Sequence, residues 1–275
     1  MRIVLAAVMV VGASTSASAW GEEGHSIVGE VAQHRVSATT QVGISSLLGQ
    51  GWSLAAVASW ADDERARDKT TTNWHFVGIP SATTTYDASR DCKADAVFGD
   101  CIIAAIERAK KIVACGGLPA ADRVRALKFL IHFVGDLHQP LHAIEDARGG
   151  NEIDVTIVTR QGINGNAPFN TSLHSAWDAA LIQKTTWSWG GYVDRLESGW
   201  LKTDDAVAIA SGTPVAWAEE SHKEAIQLIQ SLPANRVLDD KYRQDHLDLL
   251  DRKLGEGGIR LAKVLDDAFV AATCP

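Results

Sequence analysis

Beyond its first 19 residues the chain has no apolar run near the roughly 18–20 residues that cross a bilayer, so no membrane span is expected in the mature protein. A basic excess is also missing: 26 Lys and Arg face 34 Asp and Glu, a net charge of −8. That balance argues against a protein that grips nucleic acid through a basic surface. It is an objection to any polyanionic substrate unless bound metal supplies the positive field. No internal repeat, low-complexity segment or linker interrupts the chain, which excludes a solenoid and argues against a split into domains. Cysteine is scarce, with Cys92, Cys101, Cys115 and Cys274 the complete set.

What is present begins with export. Arg2 precedes an apolar run from Ile3 to Gly12, and a small-residue stretch then ends in Ala17-Ser18-Ala19. This is the pattern of a secretory signal with an Ala-x-Ala cleavage site. Residues 1–19 are therefore read as a leader and residues 20–275 as one domain, long enough to bury a sizeable core. The mature protein is expected to be secreted or periplasmic, and a monomer. Losing Arg2 leaves 25 basic against 34 acidic residues, a net charge of −9. Export permits disulfides, and four cysteines allow two bridges in three connectivities. Cys92 and Cys101 bracket part of a Ser-, Thr-, Asp- and Gly-rich stretch over residues 80–100, read as a long loop that a bridge would staple.

Apolar residues recur at helical spacing over residues 26–37, with Ile27, Val28, Val31, Ala32 and Val36 on one face. The same pattern runs from Leu54 to Ala61, from Ile102 to Val113, and onward from Pro119. Asn73 to Val77 reads as extended. Ile153, Val155 and Ile157 alternate with Asp154 and Thr156, which predicts a short strand. From about Val193 helical patterns alternate with Gly and Pro breaks and carry no dense motif, so this part reads as scaffold. The fold class expected is all-α, a mostly helical domain with a short β-hairpin or strand.

The chemistry concentrates between Phe129 and His142. His132 and Asp136 are four apart and share a helical face. Pro140 then breaks the helix and allows His142 to return toward the same point. Neutral imidazole and carboxylate suit zinc. His-x-x-x-Asp spacing alone decides little, since His142/Asp146 and His174/Asp178 share it; the third histidine makes the motif informative. By themselves, Trp20 reads as an aromatic anchor ahead of a helix and His75 as a core residue between Trp74 and Phe76. Asp62, Asp63 and Glu64 read as a solvated helix end.

Five separated stretches change that reading: Trp20 with His25, Trp60-Ala61-Asp62, His75-Phe76, the His132/Asp136/His142 motif, and Ser172-Leu173-His174-Ser175-Ala176-Trp177-Asp178. In order and spacing they resemble the zinc-dependent, single-strand-specific S1/P1 (type I) nucleases, relatives of the bacterial zinc phospholipases C. The resemblance implies three zinc ions at the bottom of a cleft. The first would be held by Asp62, His75, His132 and Asp136, and the second by His142, His174 and Asp178. The third would take the amino nitrogen and carbonyl oxygen of Trp20, plus His25, with Asp136 bridging to the first. His138 falls outside this set and is expected to support a ligand from behind. Asp62 and Arg65 take the catalytic positions, with the Arg65 cation near the scissile phosphate. Phe76 matches a base-stacking position, and Phe169 a second one.

The implied activity is hydrolysis of single-stranded DNA and RNA to 5′-phosphates, with 3′-nucleotides as further substrates. Departures are visible: Gly78 stands where fungal members carry an acid facing the base edge, Ser172 replaces Asn, and Glu152 replaces Asp after Asn151. Local spacing favours a Cys92–Cys101 bridge, leaving Cys115 and Cys274 for a second. The competing reading is a zinc phospholipase C, but those enzymes carry Glu where this chain has Asp178. A zinc-storage protein would need closed sites, which a bridging carboxylate with room for water does not describe. Asn170-Thr171-Ser172 is also a glycosylation sequon.

Overall fold

A computed structural model describes residues 20–158, 167–203, 205–271 and 274. The leader expected over 1–19 lies outside the described residues, as does most of the loop expected between Gly162 and Asn170. The chain is mostly helical, as its periodicity predicts. Its main helices are α1 (Glu22–Gln33), α2 (Ala38–Leu48), α3 (Trp60–Arg67), α4 (Ile102–Ala114) and α5 (Ala120–Leu137). They are followed by α6 (Trp189–Ser198), α7 (Pro214–Gln230) and α8 (Asp240–Ala271).

α5 is the organising element. Pro119 precedes it and Asp122 sits in its first turn, where a negative charge complements the helix dipole. From Phe129 to Leu137 every residue is buried, so the second half of α5 runs through the interior and not along its edge. α1, α4 and α8 pack around it. Side chains such as Leu130, Phe133 and Val134 are fully covered, each contributing roughly 1.5–3 kcal/mol. His132 and Asp136 lie in the same apolar surroundings at 0 % exposure, which is costly for unpaired polar groups.

Three short strands form a side sheet in the order β2-β1-β3. β1 (Asp154–Ile157) pairs antiparallel with β2 (Phe169–Ser172), and β3 (Val237–Leu238) runs parallel to β1. The strand expected from the alternation of Ile153 to Ile157 is present.

Local differences from the sequence reading have physical causes. The helix expected over residues 26–37 ends at Gln33, and a separate helix starts after Ser37, whose hydroxyl accepts the Thr40 N–H at 3.2 Å and caps α2. The pattern from Leu54 to Ala61 splits into a 3-10 turn, Ala55–Val57, and the start of α3. The stretch before His75, expected to be extended, is a 3-10 helix over Lys69–His75. Asp68 caps it by accepting the Thr70 N–H at 3.1 Å, and Asn73 N–H is held by the Phe98 carbonyl at 2.9 Å. Extended backbone begins only at Phe76. The cysteines pair as Cys92–Cys101 and Cys115–Cys274, the pairing that local spacing favours. Cys101 and Cys115 flank the two ends of α4.

Candidate metal centre

α5 contributes His132 and Asp136 one turn apart, so both point the same way. The 3-10 helix delivers His75 onto them. His75 Nδ1, His132 Nε2 and Asp136 Oδ2 lie 3.1 Å from one another. Asp62, on the first turn of α3, brings Oδ1 to 3.8 Å from His75 and 3.7 Å from His132. Only Asp63 of the acidic run faces solvent in the manner expected; Asp62 turns inward.

Past the end of α5, Pro140 opens a 3-10 turn, Pro140–Ala143, that carries His142. The facing helix spans residues 173–183 and changes pitch in its middle, with Ala176–Ala180 wound as a π-helix. That wider turn holds Asp178 opposite His174, and π-turns are frequent at functional sites. Asp178 Oδ2 is 3.4 Å from His174 Nε2, and Asp178 Oδ1 is 3.9 Å from His142 Nε2. The imidazoles of His142 and His174 stack with centroids 4.8 Å apart.

Asp136 also faces a third direction. Its Oδ1 is 3.1 Å from His25 Nε2 on α1, while its Oδ2 serves the first cluster. The His25 ring stacks on His132 at 3.8 Å. This close approach depends on Gly135, where an added Cβ would stand 3.0 Å from His25 Nδ1. Trp20 is fully buried just before α1, and the N–H of Gly21 donates to the Asp178 carbonyl at 2.8 Å. The start of the described chain is thereby tied to the helix of the second cluster.

Three of the histidines are oriented by main-chain acceptors. The Nδ1–H groups of His132, His142 and His174 donate to the carbonyls of Ala58, His75 and Gly149, each at 2.7 Å. A carbonyl can only accept, so each Nε2 is left with a lone pair aimed into the cluster. Gly149 holds its carbonyl there from a left-handed turn, φ +63°, where a Cβ would stand 2.6 Å from the Leu141 oxygen.

Asp62 Oδ1, Asp136 Oδ1, Asp178 Oδ2, His25 Nε2 and His142 Nε2 are all buried without a hydrogen-bond partner. An orphaned buried polar atom costs about 1–3 kcal/mol, so their convergence is the signature of a site built to bind a cation. Among the described residues the donors form groups of three, His25/Asp62/His132, His75/His132/Asp136 and His142/His174/Asp178, a histidine and carboxylate set that fits zinc.

The electrostatics of the protein alone agree. Burial, reinforced by neighbouring imidazoles, holds His25, His75 and His142 well below the ordinary histidine range. Burial brings His174 down to about 4. Burial lifts Asp178 well above the carboxylate range and Asp136 to about 7, against the pull of His132. At His132 burial works downward, but the carboxylates of Asp136 and Asp62 outweigh it and raise the group to about 9. A bound dication reverses this logic by stabilising both carboxylates in their charged form.

The clusters lie against a cleft of about 790 Å³ whose lining includes Arg65, His75, Phe76, Glu145, His142 and His174. Arg65, one turn after Asp62 on α3, acts electrostatically on His75, Asp136, His142 and His174. Phe76 keeps 38 % of its surface exposed in the cleft. Gly78 leaves room that Glu145 fills, the nearest contact of an added Cβ being the Glu145 Cβ at 3.5 Å. Phe169 is exposed but is not among the described residues lining the cleft; it pairs with Ile157 in the side sheet, with Lys184 Nζ 5.9 Å from its ring centroid.

The sequence profile of the S1/P1 nucleases matches residues 20–270. The chain belongs to the S1/P1 nuclease family. It is 31 % identical to Nuclease P1 of Penicillium citrinum over 90 % of this chain and 97 % of that protein. It is 28 % identical to Endonuclease 2 of Arabidopsis thaliana over 91 % and 90 % of the two chains. With Nuclease S1 of Aspergillus oryzae it shares 33 % over 63 % and 57 %. As an S1/P1 nuclease the protein is a hydrolase of nucleic acid, and no helix among its described residues is long and apolar enough to cross a membrane.

Two features of this S1/P1 nuclease site escape the sequence reading. His138 does not support a ligand: its Nδ1–H donates to Val134 O at 2.7 Å, and Arg260 donates to its Nε2 at 3.1 Å. The neighbouring Gln139 is the side chain that reaches a candidate ligand, donating from Nε2 to Asp178 Oδ1. A glutamine between two histidines carries no spacing signal that would have singled it out.

Proposed function

We propose that the mature chain is an exported, monomeric, trinuclear-zinc phosphodiesterase. It hydrolyses single-stranded DNA and RNA to 5′-phosphate products and acts on 3′-nucleotides. The observation that carries this reading is Asp136, whose two oxygens face different histidine groups at 3.1 Å, as a carboxylate shared between two metals requires. Asp62, His75, His132 and Asp136 would hold the first ion, and His142, His174 and Asp178 the second. The α-amino group and carbonyl of Trp20, with His25 and Asp136, would hold the third. The burial of Trp20 and the bond from Gly21 to Asp178 support that N-terminal role.

Zinc, when bound, acidifies water to near neutrality and polarises phosphate oxygens. The protein's own residues do the rest. Asp62 reaches the first cluster with 18 % of its side chain exposed. Arg65, whose charge is felt at both clusters, would face a phosphate in the cleft. Phe76 offers an exposed ring on which an unpaired base can stack, which a paired base cannot do without leaving the duplex. Phe169 would meet only a nucleotide extending past the cleft. Three zinc ions would bring the mature charge from −9 to about −3 and place the positive field in the cleft. Few Lys or Arg contacts to phosphate are then needed, so activity should depend only modestly on salt.

The test is digestion of heat-denatured DNA, RNA and duplex DNA by the purified mature chain, with metal content measured on the same sample. The expected result is rapid cleavage of the single strands, slow cleavage of the duplex, and three zinc ions per chain. Cleavage of phosphatidylcholine alone would overturn the substrate reading in favour of a phospholipase C.

A further inference from the structure

We infer that Gln139 is a positioning residue that decides which oxygen of Asp178 faces the second metal ion. The inference rests on the metal-site reading above but not on the nuclease substrate. Gln139 is fully buried just past α5, where it caps the 3-10 turn Pro140–Ala143, and both ends of its amide are engaged. Its Oε1 accepts the main-chain N–H of Leu141 at 2.6 Å. A main-chain N–H can only donate, so the amide cannot be flipped, and Nε2 must be the end that meets Asp178 Oδ1.

This assignment has a consequence for the metal site. Asp178 Oδ1 is engaged by the amide, whereas Oδ2 is buried without a partner, as is His142 Nε2. Oδ2 is also the oxygen nearer His174, at 3.4 Å, while the amide-held Oδ1 is the one 3.9 Å from His142 Nε2. Gln139 thus presents Asp178 through one oxygen and holds the carboxylate against rotation about its terminal bond. Because Leu141 lies between Pro140 and His142, the same glutamine anchors the turn that carries His142. One side chain therefore links two ligands of one site that lie 36 residues apart, and its amide carries no charge that would compete for the ion.

Gln139→Glu separates the two functions of the residue. A carboxylate can still accept the Leu141 N–H, but it cannot donate to Asp178 and places a second negative charge beside it. The experiment titrates zinc-loaded wild type and Q139E with a chelator and counts bound ions by native mass spectrometry. Melting of the zinc-free proteins is measured in parallel. The expected result is a 10- to 100-fold weaker hold on one zinc ion per chain, the range for losing a ligand's supporting hydrogen bond. The other ions and the zinc-free melting temperature should be unchanged. Gln139→Met fills similar volume with neither hydrogen bond and should show the same single-ion loss if Q139E does not fold. Equal retention of every ion overturns the inference, as does loss of all ions in step with a lower zinc-free melting temperature. Activity is not read, so a failure of the substrate proposal would leave this result standing.

Discussion

His142 donates its Nδ1 proton to the main-chain carbonyl of His75 at 2.7 Å. A side chain of one candidate metal cluster is therefore aimed by the backbone of a residue in the other. The adjoining segments continue the contact, with Val77 N–H on the His142 carbonyl at 2.8 Å and Glu145 N–H on the Ile79 carbonyl at 3.1 Å. The clusters are mechanically one object.

Replacing His75 should consequently be felt beyond its own ion. His75→Ala removes one imidazole and loosens the 3-10 turn that presents the carbonyl. Native mass spectrometry should find more than one zinc ion weakened per chain. Loss of a single ion, with the others bound as tightly as in wild type, would mean that the coupling does not matter.

The proposed amino-terminal ligand makes a sharper demand. A mature chain beginning at Trp20 should bind three zinc ions, whereas one carrying an extra Gly ahead of Trp20 should bind two tightly. Its turnover of single-stranded DNA should fall by about 10²-fold or more, the scale on which a metal stabilises transition-state charge by several kcal/mol. Full metal content and activity in the extended chain would refute the α-amino ligand.

Arg65 stands in the field of both clusters without belonging to either donor set. Arg65→Ala should retain its zinc content and lower kcat by about 10²–10³-fold, the usual effect of removing one group that stabilises developing charge. Stopped-flow turnover beside a metal count checks both halves. A kcat within a few-fold of wild type would assign the arginine to the scaffold.

Acid should destabilise the protein for a reason separate from metal release. His138 is buried and held well below its ordinary 6.5 by burial first, then by Arg260 and Lys253. In the unfolded chain it takes up a proton near 6.5, whereas in the folded chain it stays neutral to much lower pH. A lowered folded pKa gives stability that is complete above 6.5 and lost as pH falls through the window below it. The melting temperature of the chelated protein should therefore decline below about pH 6.5. His138→Gln, which does not titrate, should remove part of that slope.

The Cys115–Cys274 bridge joins residues 159 positions apart. Cys274→Ser should cost about 2–4 kcal/mol in urea unfolding, the range for a long closed loop. Metal content should stay at the wild-type value, because neither cysteine belongs to a candidate donor group among the described residues.

Much of this was legible beforehand, and the reasons differ by feature. His132 and Asp136 became informative only with His142, a third donor at a spacing that chance rarely supplies beside a pair related by one helical turn. The strand from Asp154 to Ile157 was visible through its alternation. The 3-10 helix ending at His75 was not: Thr70, Thr71 and Thr72 favour extended backbone locally, and the turn is won by the Asp68 cap and the distant Phe98 carbonyl. The π-turn at Asp178 has no composition of its own. Gly135 and Gln139 act through what they stand beside, His25 and Asp178, and neither neighbour is near in sequence. His138 misled because adjacency to ligands along the chain is not adjacency in space.

The helix α4 has a disulfide at each end, Cys101 to the loop that helps wall the cleft and Cys115 to the chain's last residues. It acts as a splint pinned twice by bonds that only an oxidising compartment maintains. Reducing both bridges would release α4 from the loop holding Cys92 and from Cys274. One helix thus carries the covalent ties of both the cleft wall and the Cys274 end, and neither tie uses a candidate ligand.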